Sequence, residues 1–173
     1  MEDKQKKKFT MTIFTENKPG VLYRIADVFL RRKINVESLT VSEIESGGVS
    51  RFTIVQNMDE DTVKKVVKQL NKIIEVLNVY ASLDDELYYN EIALIKVGYK
   101  TKEDISSIYT IVAQEGAKVV LVNSTSVIVE GAGTEKDIET LLNSLKPFGI
   151  KDIAISGRTA VLIHEAPSIT AED

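Results

Sequence analysis

The passage Phe9–Phe29, FTMTIFTENKPGVLYRIADVF, decides the fold. In Phe9-Thr10-Met11-Thr12-Ile13, apolar and polar residues alternate with the period of two that marks a strand. Glu16-Asn17-Lys18-Pro19-Gly20 follows, with Pro and Gly adjacent as in a turn. Val21, Leu22, Ile25, Ala26, Val28 and Phe29 then recur at helical spacing. Strand, turn and helix thus follow one another within a single short passage.

Working outward, Ile34 to Ile44 is rich in β-branched residues and reads as a second strand. Ser46-Gly47-Gly48 reads as a hairpin turn, with Arg51-Phe52-Thr53-Ile54-Val55 as its partner strand. Asp59, Glu60 and Asp61 open a second helix, where the macrodipole favours acid. Its buried stripe is Val63, Val66, Val67 and Leu70, and a strand over Leu77, Val79, Ala81 and Leu83 closes the set. The same order then repeats. Ile92 to Val97 is a strand apolar on both faces, and Thr101 with Asp104 opens a helix carrying Ile105, Ile108, Tyr109 and Val112. Two strands at Val119–Val122 and Val127–Val129 turn at Asn123-Ser124. Thr134 with Asp137 starts a helix carrying Ile138, Leu141, Leu142 and Leu145, and Ile150 to Ile163 is a closing strand broken at Gly157. The fold class is α+β: two ferredoxin-like βαββαβ domains, residues 7–84 and 85–166, divided at Asp84-Asp85-Glu86. Each sheet would leave one face bare, so burial by the other half or a second subunit is required, and a dimer is expected.

The 173 residues suit two small domains, and a net charge of -4 disfavours a nucleic-acid backbone as partner. Lys4, Lys6, Lys7 and Lys8 form a basic opening expected to be solvated and disordered, and the chain is expected to fray from Pro167. No apolar run approaches membrane-span length and no signal-peptide core follows Met1, so the expected location is cytoplasmic. Cysteine is absent, which removes disulfides, thiolate metal sites and a cysteine nucleophile.

Little else carries chemistry. His164, the only histidine, neighbours Glu165, but consecutive strand residues face opposite ways. The carboxylates show no metal-ligand spacing, and Ser124 and Ser126 lack a partner base. Gly131-Ala132-Gly133 lacks the remaining glycine of a dinucleotide fingerprint and reads as a plain strand-to-helix turn. Single-stranded RNA binding on this fold needs stacked aromatics on central strands, and Phe9, Phe14 and Phe52 have no basic residues clustered about them. No catalytic residue and no metal site are expected. The turn Asn17-Lys18-Pro19-Gly20 differs, because it delivers a helix N-terminus with unpaired N–H groups and no side chain at Gly20. A carboxylate would fit there, with Asn17 offering both donor and acceptor. On spacing alone a plain helix-starting turn remains the better reading.

Glu16-Asn17-Lys18-Pro19-Gly20-Val21-Leu22-Tyr23-Arg24 resembles the opening of an ACT domain, the amino-acid-sensing module. Asn35-Val36-Glu37-Ser38-Leu39-Thr40-Val41 and Ser50-Arg51-Phe52-Thr53-Ile54 resemble the version found in the small regulatory subunits of acetohydroxyacid (acetolactate) synthase. Lys68 to Val76, Asn90 to Val97 and Gly157-Arg158-Thr159-Ala160 are similar to the same family. The resemblance implies a non-catalytic regulatory subunit of branched-chain amino-acid synthesis, which activates a catalytic large subunit and confers feedback inhibition by valine. It implies a homodimer through the ACT domains, with L-valine between two copies. Asn17, Lys18, Pro19, Gly20, Val21 and Leu22 would line the site from one copy, and Asn35 and Val36 from the other. Lys18 and Pro19 stand where the family varies, so they leave the choice of ligand open. It implies no cofactor in this chain, with thiamine diphosphate, magnesium and FAD on the large subunit. A free-standing ACT-type sensor or co-regulator is the alternative.

Overall fold

The computed structural model describes residues 6–45, 48–164, 167 and 169–170, with the backbone alone for Glu45. The chain forms two units, one made of residues up to Tyr88 and from Arg158 onward, the other of Tyr89–Gly157.

In the first unit, β1 (Lys7–Glu16) leads into α1 (Val21–Leu30), followed by β2 (Ser38–Glu45), β3 (Val49–Met58), α2 (Glu60–Leu70) and β4 (Val76–Ser82). Lys7 and Lys8 open β1 rather than forming a free basic tail, while Lys4 lies outside the described residues. β1 is central and antiparallel to both β3 and β4, with Met11 opposite Ile54 and Ala81. Phe9, Met11, Ile13, Phe52, Ile54, Val79 and Ala81 pack on α1 through Val21, Ile25 and Phe29, and on α2 through its predicted stripe Val63, Val66, Val67 and Leu70. The second strand starts at Ser38, not Ile34. Lys33 takes a positive φ of 56°, and the backbone turns through Ile34–Glu37 before pairing begins. Gly48, with φ of 87°, ends the hairpin turn, whose Ser46 and Gly47 lie outside the described residues.

In the second unit, β5 (Leu87–Gly98), α3 (Lys102–Gln114), β6 (Lys118–Val122), β7 (Ser126–Gly133), α4 (Glu135–Leu145) and β8 (Ile150–Ile155) repeat the order. Its sheet runs β6-β7-β5-β8, the counterpart of β2-β3-β1-β4 in the first unit. Ala93, Ile95 and Val97 enter the core with Ile108, Val112, Ile138, Leu141 and Leu145, but Ile92 and Leu94 are exposed, so β5 is buried on one face only. Tyr109, expected in the α3 stripe, is also exposed. Gly131-Ala132-Gly133 is the end of β7 and not a turn. A Cβ on Gly131 would stand 2.4 Å from Leu141 Cδ2, so these glycines serve the close packing of α4.

The end of the chain departs furthest from expectation. The strand character of Ile150–Ile163 belongs to two strands, β8 and β9 (Thr159–Leu162), separated at Gly157 with φ of 76°. From Arg158 the chain groups with the first unit, which otherwise runs to Tyr88, just past the 3₁₀ turn Asp84–Glu86. Arg158, 1% exposed, donates to Thr10 Oγ1 at 2.8 Å and to Asp84 at 2.5 Å. Thr40 donates to the Arg158 carbonyl at 3.2 Å, Arg51 donates to the Ala160 carbonyl, and the Ile163 N–H donates to Glu86 at 2.9 Å. Thr10 and Thr12 lie opposite the helix-facing residues of β1, yet both are buried. The chain's own return segment therefore covers at least part of the face expected to be bare. Beyond Pro167, Ile169 and Thr170 form β10 and pair with Ala81 and Tyr80 of β4, where fraying was expected.

Candidate functional site

The turn between β1 and α1 hangs from two backbone bonds. The Glu16 N–H donates to the Glu75 carbonyl at 2.9 Å, and the Asn17 N–H to the Gly48 carbonyl at 2.6 Å. Asn17, Lys18, Pro19 and Gly20 are all exposed. Gly20 is the N-cap of α1, left-handed at φ 86° and ψ -8°. No side chain caps this helix and its first turn carries no acid. A Cβ added at Gly20 would meet nothing within 4 Å, so the approach to the helix end is open.

The other helices fill their own starts. Asp59 caps α2 by accepting from the Thr62 N–H at 3.0 Å. Thr134 caps α4 in a capping box with Asp137. At α3, the equivalent junction in the second unit, Thr101 Oγ1 accepts from the Asp104 N–H at 3.1 Å, and the Asp104 carboxylate accepts from Lys100 and Thr101 N–H groups at 2.9 and 3.0 Å. Those two backbone bonds hold the Asp104 carboxyl below its usual pKa. An anion brought to α3 would compete with a carboxylate already in place; at α1 it would not.

Charge around the first turn is balanced in pairs. Lys18 meets Glu16 at 2.5 Å, and this bond to the carboxylate raises the lysine pKa. Arg24 Nη1 donates to both carboxylate oxygens of Glu75 at 2.7 Å. Two of the expected site residues contribute less than their full surface. Val21 is buried in the core, leaving its backbone at the turn, and Val36 packs partly against that core, whereas Leu22 is exposed. Asn35 is not brought to the turn within one chain. It lies past the far end of α1, whose ten residues span about 15 Å. There Asn35 lines an open cleft of about 500 Å³ with Arg32, Lys33, Glu37, Asn57 and Asp59. Among the described residues no group of three His, Cys, Asp or Glu is placed to hold a metal ion, and no helix is long and apolar enough to cross a membrane. His164 is exposed.

The Arg24–Glu75 pair and the buried Arg158 are functional features beyond the sequence expectations. A signal for the first was present: arginine in the opening turns of a helix opposes the macrodipole and calls for a carboxylate partner.

An open, glycine-started helix on a βαββαβ unit is the arrangement of an ACT domain, and residues 11–78 match the family model described as the AHAS small subunit-like ACT domain. Residues 90–163 match the model for the small subunit of acetolactate synthase. The chain is 40% identical over 153 residues to the acetolactate synthase small subunit of Bacillus subtilis, covering 87% of each chain. It is 37% identical over 155 residues to that of Mycolicibacterium smegmatis, covering 88% of this chain and 89% of the relative. The crystal structure of the acetolactate synthase small subunit from Thermotoga maritima superimposes with a TM-score of 0.84 at 31% identity, over 92% of this chain and 99% of that one. The chain belongs to the acetolactate synthase small-subunit family.

Proposed function

We propose that this chain is a regulatory subunit that binds a catalytic acetolactate synthase large subunit, raises its activity and makes it inhibitable by valine. Family membership supports the partner. The observation that carries the effector site is the unfilled start of α1 at Gly20, set against three other α-helices that cap themselves. Valine offers a carboxylate to the helix end and an ammonium to asparagine side chains and backbone carbonyls. Asn17, Lys18, Pro19, Gly20, Val21 and Leu22 form one wall. Asn35 and Val36 form the other and come from a second copy, because a single chain holds the two walls at opposite ends of α1. A homodimer through the first unit is supported by β2, the outermost strand of its sheet, where Leu39 and Val41 remain half-exposed. A ligand clamped between copies acts by favouring one assembly state over another, with coupling of about 1–3 kcal/mol. Catalysis, with thiamine diphosphate, magnesium and FAD, belongs to the large subunit.

A pull-down of the catalytic subunit by this chain, with and without valine, tests the reading. Retention of the synthase is expected. Valine binding with no affinity for the synthase would instead identify a free-standing amino-acid sensor.

A further inference from the structure

We propose that Arg24, oriented by Glu75, is a specificity-determining residue of the effector site that selects ligands carrying a free carboxylate. The inference rests on the effector reading above and adds a side chain to it. Arg24 follows Gly20 by four residues, so it stands one turn further along the same face of α1. Side chains on a helix lean toward its N-terminus, which carries the guanidinium back over the turn. Glu75 is only 9% exposed and holds Nη1 through both oxygens at 2.7 Å, a rigid anchor for a side chain otherwise free to wander. The Glu75 carbonyl also accepts the Glu16 N–H, so one residue sets both the start of the turn and the cation beside it. Both bonds leave from Nη1, so among the described residues the donors on Nε and Nη2 remain for a ligand oxygen.

The electrostatics point the same way. Among the described residues, Glu16 and Glu75 are the carboxylates paired at this turn, with Lys18 and Arg24 respectively. Without Arg24, the nearly buried Glu75 would face an incoming carboxylate uncompensated. Arg24 therefore acts twice on an anionic ligand, by donating to it and by neutralising Glu75. A neutral amide in place of the carboxylate would gain little from either effect.

Titration calorimetry of the full chain with valine and with valinamide separates the possibilities. The wild type should prefer valine. Arg24→Gln should weaken valine by about tenfold or more, and valinamide far less, because charge-assisted hydrogen bonds are the stronger ones. The double variant Arg24→Gln/Glu75→Gln removes the uncompensated charge and should restore the melting temperature without restoring the preference for valine. A double variant that regains that preference would reduce Arg24 to a structural partner of Glu75 and overturn the inference, as would unchanged selectivity in Arg24→Gln. A wild type that binds neither compound would overturn the effector reading and this inference with it.

Discussion

Gly20→Asp separates sensing from folding. Gly20 has φ of 86°, where a residue bearing a Cβ is strained by about 1 kcal/mol. Nothing lies within 4 Å of the Cβ position, so no clash is added, and aspartate tolerates this region better than most residues. A loss of about 1 kcal/mol lowers the melting temperature of a domain this size by roughly 4–8 °C, leaving it folded at room temperature. The effect on the ligand is larger. Two carboxylates about 4 Å apart at an effective dielectric near 20 repel by about 4 kcal/mol, and mobility with salt screening brings this to roughly 2–4 kcal/mol. That corresponds to a thirty- to thousandfold rise in the valine concentration giving half-inhibition. The assay is valine titration of the reconstituted synthase, with circular dichroism as the folding check. Gly20→Ala is the control, since it carries the backbone strain without the charge and should keep most of the valine response. Unchanged half-inhibition in folded Gly20→Asp would refute the placement of the carboxylate.

Further outcomes follow from the same structure. Asn35→Ala removes polar contacts only and should weaken valine inhibition less than Gly20→Asp, read in the same titration. Arg158→Ala removes a buried side chain held by Thr10 and Asp84; because Asp84 is partly exposed, the expected loss is about 2–3 kcal/mol, measured by urea denaturation, with faster proteolysis near Gly157. An unchanged midpoint would mean the return segment contributes nothing to the first unit. Tyr99→Ala/Thr101→Ala should lose more than the roughly 1 kcal/mol of the missing cap, because Tyr99 also packs on the second core and donates to the Asn123 carbonyl at 2.6 Å, yet it should bind valine at the wild-type stoichiometry; a halved stoichiometry with the dimer intact would place a second site there. Asp104 and Asp137 have pKa values lowered in the folded state, the first by N–H groups of Lys100 and Thr101, the second by the Thr134 hydroxyl and then its N–H. Their contribution is present above the unfolded carboxylate pKa of about 4 and is lost as pH falls through the lower folded values. The stability gap between wild type and Asp104→Asn/Asp137→Asn should therefore close below about pH 4, followed by thermal melts.

Local chemistry was legible and long-range cover was not. Thr101 with Asp104 and Thr134 with Asp137 declare their helices because the caps are written within four residues. Gly20 is visible for the same reason, since the turn and the helix it starts are contiguous. The burial of Thr10 is invisible locally, because Arg158, which donates to it, lies about 150 positions away. The break of Ile150–Ile163 at Gly157 is legible in the sequence, but that the chain changes units there is not, because β-branched composition continues on both sides. Ile34–Val36 has strand composition but packs as a connection after the positive φ of Lys33, a tertiary choice overriding propensity. The glycines of β7 read as a turn because the close approach of Leu141, which selects them, comes from a helix formed later in the chain. Of the proposed effector site, the turn Asn17–Gly20 is legible as a motif. The fold adds that Asn35 lies past the far end of α1 from that turn.

The most direct test is the rate of acetolactate formation from pyruvate by a catalytic acetolactate synthase subunit, measured alone, with this chain, and with this chain plus valine. The account predicts that the chain alone makes no product, that adding it to the catalytic subunit raises the rate, and that valine then lowers it. A catalytic subunit whose rate is unmoved by the chain, or raised but indifferent to valine, would contradict it.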